Sequence, residues 1–131
     1  MPPTVGLSDP LDFDSDVPVH EQIAQRVKFA IARGAFGPGA QLPSVRGLAR
    51  DLLVNPNTVV RVYRRLEAEG VIYTRRGKGV FVQDAVTDRC QGDGEALVRR
   101  TLRDAVELAA RAGIKGRELE RLWKATREEL A

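Results

Sequence analysis

Ser44-Val45-Arg46-Gly47-Leu48-Ala49-Arg50-Asp51-Leu52-Leu53-Val54-Asn55-Pro56-Asn57-Thr58-Val59-Val60-Arg61-Val62-Tyr63-Arg64-Arg65-Leu66 is the stretch whose reading decides the fold. Two helix starts stand in it. Ser44 follows Pro43 and reads as an N-cap, with Val45, Leu48, Ala49 and Leu52 behind it at helical spacing. Asn55-Pro56 reads as the second start. Asn supplies the cap, and Pro takes the first helical position, where its missing N–H costs nothing. Val59, Val62, Tyr63 and Leu66 then form an i, i+3, i+4, i+7 stripe, and Gly70 closes the helix. Only residues 53–55 separate the two helices, which is the tight spacing of a helix-turn-helix.

Upstream, Ile23, Val27, Ala30 and Ile31 predict an earlier helix from Val19 to Arg33, stopped by Gly34, with Gly37-Pro38-Gly39 as a tight turn. Downstream, Val71-Ile72-Tyr73-Thr74 and Val80-Phe81-Val82 flank Arg75-Arg76-Gly77-Lys78-Gly79. This reads as a β-hairpin with a basic, glycine-permissive tip. Residues 84–94 are polar and glycine-containing and read as a linker. Two helices follow, near Glu95–Ala112 and Gly116–Leu130. Leu11-Asp12-Phe13-Asp14 alternates apolar and acidic residues, which allows a short edge strand within an N-terminal arm, 1–18. The expected class is α+β. Residues 19–83 form a winged helix-turn-helix of three helices plus a hairpin wing, and 95–131 form a two-helix dimerisation tail.

Charge is unevenly placed. Net charge is +3, yet residues 19–83 carry eleven Lys/Arg against Glu21, Asp51, Glu67 and Glu69, a local +7. Residues 1–18 carry four Asp and no Lys or Arg, and 84–131 are balanced. A basic segment between acidic and neutral ones suits a polyanionic partner. No apolar run approaches the roughly 18–20 residues a membrane span requires. The acidic N-terminus is the opposite of a secretory signal, so a cytoplasmic, nucleoid-associated location is expected, without a membrane partner. The lone Cys90 has no internal partner for a disulfide and reads as a solvated linker thiol. His20 lacks the companions of a metal site, and no nucleophile–base pair or phosphate-cradling loop stands out. Neither catalysis, a metal nor a cofactor is expected.

A basic helix face or a basic hairpin is, taken alone, commonly just a solvated surface. Their succession in this order is what points to nucleic acid. The third helix presents Asn57, Arg61, Arg64 and Arg65 off its apolar stripe. A helix fits the major groove, where Asn and Arg make bidentate contacts with adenine and guanine. Thr58 suits a phosphate or a thymine methyl. Ser44 and Asn55 lie at helix N-termini, where phosphates are favoured. Arg76 and Lys78, between glycines, suit a phosphate rail or the minor groove.

The runs Gly39-Ala40-Gln41-Leu42-Pro43-Ser44-Val45-Arg46-Gly47-Leu48-Ala49, Val54-Asn55-Pro56-Asn57-Thr58-Val59-Val60-Arg61-Val62-Tyr63, Leu66-Glu67-Ala68-Glu69-Gly70 and Gly77-Lys78-Gly79-Val80-Phe81-Val82 together resemble the DNA-binding domain of the GntR family of bacterial regulators. The resemblance spans roughly Val17–Val82. The Asn-Pro-Asn-Thr-Val start, Tyr63 and the short two-helix tail resemble the YtrA subfamily. The resemblance implies a repressor that binds an inverted-repeat operator. It implies DNA contacts from Ser44, Arg46, Asn55, Asn57, Thr58, Arg61, Lys78 and Gly79, to which the residue chemistry adds Arg64 and Arg76. Three positions depart from the pattern. His20 replaces a usual Tyr, Gly47 a usual Glu or other helix former, and Lys115 a usual Ser or Thr cap.

Three functions compete: a dimeric DNA-binding repressor, a pyridoxal-phosphate enzyme of the kind one GntR branch carries, and a winged helix used for protein interaction without direct DNA readout. Only 49 residues follow Val82, too few for the enzyme domain. The Arg-rich third helix disfavours the protein-interaction module. In the tail, Leu102, Leu108, Leu119, Leu122 and Trp123 need a partner surface: either the winged helix of the same chain, which the linker would permit, or a second copy of the chain, which would complete a four-helix core and is favoured.

Overall fold

The computed structural model of the protein describes residues 6–131. Its elements run α1 (Val19–Ala32), α2 (Val45–Leu52), α3 (Pro56–Ala68), β1 (Ile72–Arg75), β2 (Gly79–Val82), α4 (Thr87–Arg111) and α5 (Arg117–Glu129). They fall into two compact units, one ending at Gly94 and one covering Glu95–Ala131.

The first unit is the winged helix-turn-helix. The stripes of its helices supply the core: Ile23, Val27 and Ile31 from α1, Leu48 and Leu52 from α2, Val59, Val62, Tyr63 and Leu66 from α3. Ser44 caps α2, its side chain accepting from the Gly47 N–H at 3.0 Å. Asn55 caps α3, accepting from the Asn57 N–H at 2.8 Å. Both starts lie where the sequence places them. The turn between the helices passes through Leu53, whose φ of 58° is left-handed and whose side chain is 83% exposed. A backbone conformation unusual for leucine thus makes the tight reversal.

β1 and β2 pair antiparallel in the register Ile72↔Val82 to Arg75↔Gly79. The loop before α2 joins this hairpin on the far side of β2. Gly39 N–H donates to Val82 C=O, Val82 N–H to Ala40 C=O, and Leu42 N–H to Val80 C=O, each at 2.9 Å. Gln41 pairs with Phe81 in the middle of this strap.

Several sequence expectations are corrected. The expected linker, 84–94, is mostly helix, because α4 begins at Thr87. Its first turn is docked by Val86 and Cys90, an i, i+4 pair buried in the core. Two apolar residues are too few to register as a period beside Asp88, Gly92, Asp93 and Gly94. Cys90 is therefore not a solvated thiol. It is 1% exposed, and burial raises its pKa above the ordinary thiol value. Arg89 donates to the Glu69 carbonyl at the end of α3, and Gln91 to the Ala32 carbonyl at the end of α1.

In the expected arm, residues 1–5 lie outside the described residues, and Leu7 and Leu11 belong to the core. Arg26 grips this segment through the carbonyls of Asp9 and Pro10. No strand forms at Leu11–Asp14. Gln22 instead accepts from the Asp12 N–H and donates to the Asp12 carbonyl, occupying the groups a ladder would use. His20, the first departure from the family pattern, is exposed in the first turn of α1.

The second unit is a helical hairpin. Gly113, at φ 79°, ends α4, with the Ile114 N–H bonded to the Ala109 carbonyl at 2.8 Å. The residue that caps α5 is Gly116 rather than Lys115, and it supplies no side-chain bond.

Candidate nucleic-acid interface

Outside its buried stripe, α3 carries polar side chains of two kinds, exposed ones and ones paired within the fold. Asn57, Arg61 and Arg64 stand at i, i+4 and i+7, and all three are exposed. Thr58 beside them is half-buried. Arg65 belongs elsewhere. It pairs with Glu21 on α1 and with Glu69 at 3.4 Å, while Glu69 also holds Lys28 at 3.2 Å. The hydrogen bond to Glu21 raises the Arg65 pKa despite partial burial. Burial would raise the Glu69 pKa, but its bonds to Lys28 and Arg65 outweigh that and lower it. The sequence reading grouped Arg65 with the exposed arginines. Its partners lie 44 residues away and four residues on, and the distant one cannot be read from local spacing.

Arg46, on the first turn of α2, is exposed. So are Arg75, Arg76 and Lys78 of the wing. With Arg61 and Arg64, these side chains make no ion pair among the described residues, whereas Lys28 and Arg65 are neutralised within the fold. The fold thus separates cations that tie helices together from exposed cations with no ion pair among the described residues. Ser44 and Asn55 are exposed too, but their side chains already accept capping bonds. Their nearby backbone N–H groups mark the helix N-termini of α2 and α3.

Gly79 has a structural reason to be glycine. Its φ is 128°, and a Cβ there would lie 2.5 Å from Gln41 Nε2. Gly77, at φ 77°, makes the turn, closed by the Lys78 N–H donating to the Arg75 carbonyl at 2.9 Å. The Gly47 N–H donates the cap bond to Ser44 Oγ, and a Cβ on Gly47 would sit 3.0 Å from that oxygen.

Three polar ties are not visible in the sequence, although Tyr63 itself stands in the apolar stripe of α3. Tyr63 Oη donates to the Pro43 carbonyl at 2.8 Å, tying α3 to the residue before the α2 cap. Burial raises its pKa well above the usual phenol value, so the hydroxyl stays a donor. Tyr63→Phe is expected to destabilise the domain by about 1 kcal/mol, the net worth of one such bond. Chemical denaturation would measure it, and an unchanged midpoint would deny the tie. Glu67 accepts from the Thr74 N–H at 2.8 Å and holds β1 against α3. Gln41 donates to the Lys78 carbonyl at 3.0 Å. Each is a contact between different elements carried by one polar side chain, spanning 20, 7 and 37 residues, and it leaves no periodic trace.

In the helical hairpin, Leu102, Leu108, Leu119, Leu122 and Trp123 all line one apolar groove of about 880 Å³, together with Val106 and Ile114. Leu108 is 60%, Leu122 49% and Trp123 47% exposed, so this groove is open along its length. Arg127 lies over the Trp123 ring, 5.9 Å from its centre.

Comparison with known proteins places this architecture. Residues 19–82 match the family described as bacterial regulatory proteins, gntR family. The chain is 38% identical over 119 residues to the HTH-type transcriptional repressor YtrA of Bacillus subtilis, covering 90% of this chain and 88% of that one. A GntR family transcriptional regulator from Listeria monocytogenes superposes with a TM-score of 0.70 at 29% identity, over 86% of this chain and 98% of that one. The AraR DNA-binding domain in complex with operator ORE1 superposes with a TM-score of 0.50 at 25% identity, over 56% of this chain and 89% of that one. With these likenesses on the fold and interface just described, the chain belongs to the gntR family of bacterial regulatory proteins and is a DNA-binding transcription regulator of the winged helix-turn-helix class.

Proposed function

We propose that the protein binds an inverted-repeat operator as a homodimer and represses transcription from the adjacent promoter. The observation that carries this reading is the set of exposed cations on α2, α3 and the wing, Arg46, Arg61, Arg64, Arg75, Arg76 and Lys78, that make no ion pair among the described residues. Asn57, Arg61 and Arg64 read base edges in the major groove, with Thr58 beside them. Arg46 and the backbone N–H groups near Ser44 and Asn55 hold phosphates, and Arg76, Lys78 and the Gly79 backbone follow the neighbouring groove. The protein acts by binding rather than catalysis, and its place is the cytoplasm. Among the described residues no helix is long and apolar enough to cross a membrane. The word repressor in the name of the Bacillus relative supports the sign of regulation.

Dimerisation is assigned to the helical hairpin, 95–131, with Leu102, Leu108, Leu119, Leu122 and Trp123 as its buried centre. An open apolar groove on a two-helix unit supports this, since a symmetry mate supplies the missing half of a four-helix core. Two-fold symmetry then presents two α3 helices to half-sites roughly 10 base pairs apart, or a multiple of that.

Selection of duplexes from a randomised pool tests the reading. An enriched inverted repeat is expected. Affinity for it should fall steeply with salt, by about 0.9 in log K per log salt for each phosphate neutralised. A pool that yields no enriched sequence, or a flat salt response, refutes direct operator readout.

A further inference from the structure

The geometry points to Gln41 as a positioning residue for the wing: its side-chain amide fixes the wing tip relative to the recognition helix, and thereby aims Arg76 and Lys78 at DNA. This inference rests on the operator-binding reading above.

The strap that carries Gln41 is itself held at both ends. On one side its backbone pairs with β2 through Gly39, Ala40 and Leu42. On the other, the Pro43 carbonyl accepts the Tyr63 hydroxyl of α3, and Ser44 caps α2. The Gln41 backbone is thus fixed with respect to both helices of the helix-turn-helix. From this anchored point Nε2 reaches the Lys78 carbonyl at 3.0 Å.

Other contacts hold the wing at its base or along its strands. Glu67 binds the Thr74 N–H, and the Tyr73 and Phe81 rings stack at 5.6 Å. The turn 76–78 beyond them is closed by its own bond from Lys78 to Arg75, which shapes the tip without orienting it. Among the described residues, the Gln41 bond is the side-chain tie from the helix-turn-helix strap to that tip. Gly79 is the other half of the device. Without a Cβ it leaves the space that the Gln41 amide fills, and it adopts the φ of 128° that turns the Lys78 carbonyl toward it. Arg76 and Lys78 have long, flexible side chains, so their backbone position decides how much ordering each phosphate contact demands.

The test pairs affinity with a DNA-free readout in the full-length protein. Gln41→Met keeps the stem over Gly79 and removes the donor. Gln41→Lys restores a donor. With a duplex selected by the wild-type protein from a randomised pool, Gln41→Met should lower affinity by about three- to tenfold, the range of one hydrogen bond. In an Arg76→Ala/Lys78→Ala background the same change should cost less than about twofold, because nothing is left to aim. Without DNA, amide exchange at Lys78 and Gly79 should quicken in Gln41→Met and return toward wild type in Gln41→Lys. An equal loss of affinity in both backgrounds, or unchanged exchange in Gln41→Met, overturns the positioning role. If the wild-type protein enriches no duplex while the exchange effect persists, the wing tie stands and the operator reading fails.

Discussion

Leu122→Asp/Trp123→Asp is expected to convert the protein from dimer to monomer and to cut its affinity for a two-half-site operator by about a hundredfold or more. Both side chains line the open groove of the helical hairpin, and each is about half exposed there. A charge at either position costs little in a solvated hairpin and a great deal in a buried interface, where it must be desolvated without a partner. Joining two weak half-site contacts raises overall affinity by about 10²–10⁴ through effective concentration, and that gain vanishes with the dimer. Affinity for a single half-site should be unchanged. Sedimentation equilibrium and fluorescence anisotropy on one-site and two-site duplexes would check both parts. A variant that stays dimeric would place the interface on another surface. A fragment ending at Gly94 offers an independent check, and it should be a folded monomer. Cutting earlier, at Gln83, would remove Val86 and Cys90 from the core and confuse loss of dimerisation with loss of folding.

Arg61→Ala should weaken operator binding by about 1–3 kcal/mol, roughly five- to 150-fold, and leave the thermal midpoint unchanged. Its side chain is exposed and makes no internal ion pair among the described residues. Discrimination among bases at one operator position should relax with it. Arg46→Ala should instead weaken all duplexes about equally and lower the salt slope by about 1, as a phosphate contact would. Arg65→Ala, four positions after Arg61 on α3, should behave in the opposite way to both. It removes the pairs to Glu21 and Glu69, so stability should fall by on the order of 1 kcal/mol, solvent screening the pairs, with little change in base preference. Calorimetry beside binding isotherms separates the three. If Arg61→Ala unfolds the protein, or binds as tightly as wild type, the assignment of α3's outward face is wrong.

The elements of the DNA-binding unit were legible because their signals are local. Ser44 and Asn55-Pro56 are caps whose geometry involves residues within three positions, and both appear where the sequence puts them. The stripes of α1, α2 and α3 repeat at helical spacing and became the core. The wing was readable from two β-prone runs around a glycine-containing tip. In the tail, the leucines and Trp123 predicted an apolar face, and all five named residues line one groove.

What failed or escaped was non-local. The start of α4 is helical because Val86 and Cys90 found a core to bury in, and the polar, glycine-containing composition around them argued for a loop. The acidic arm is docked by Leu7, Leu11 and the reach of Arg26, not by strand pairing. The sequence by itself determined the helix-turn-helix, the wing and the family, since caps, periods and turn residues act over a few positions. Only the tertiary structure decided which arginines pair within the fold and which make no ion pair among the described residues. Arg61 and Arg65 are the same residue type four positions apart. What distinguishes them is Glu21, brought beside Arg65 by the packing of α1 on α3, and an ion pair across that span exists only once the chain has folded.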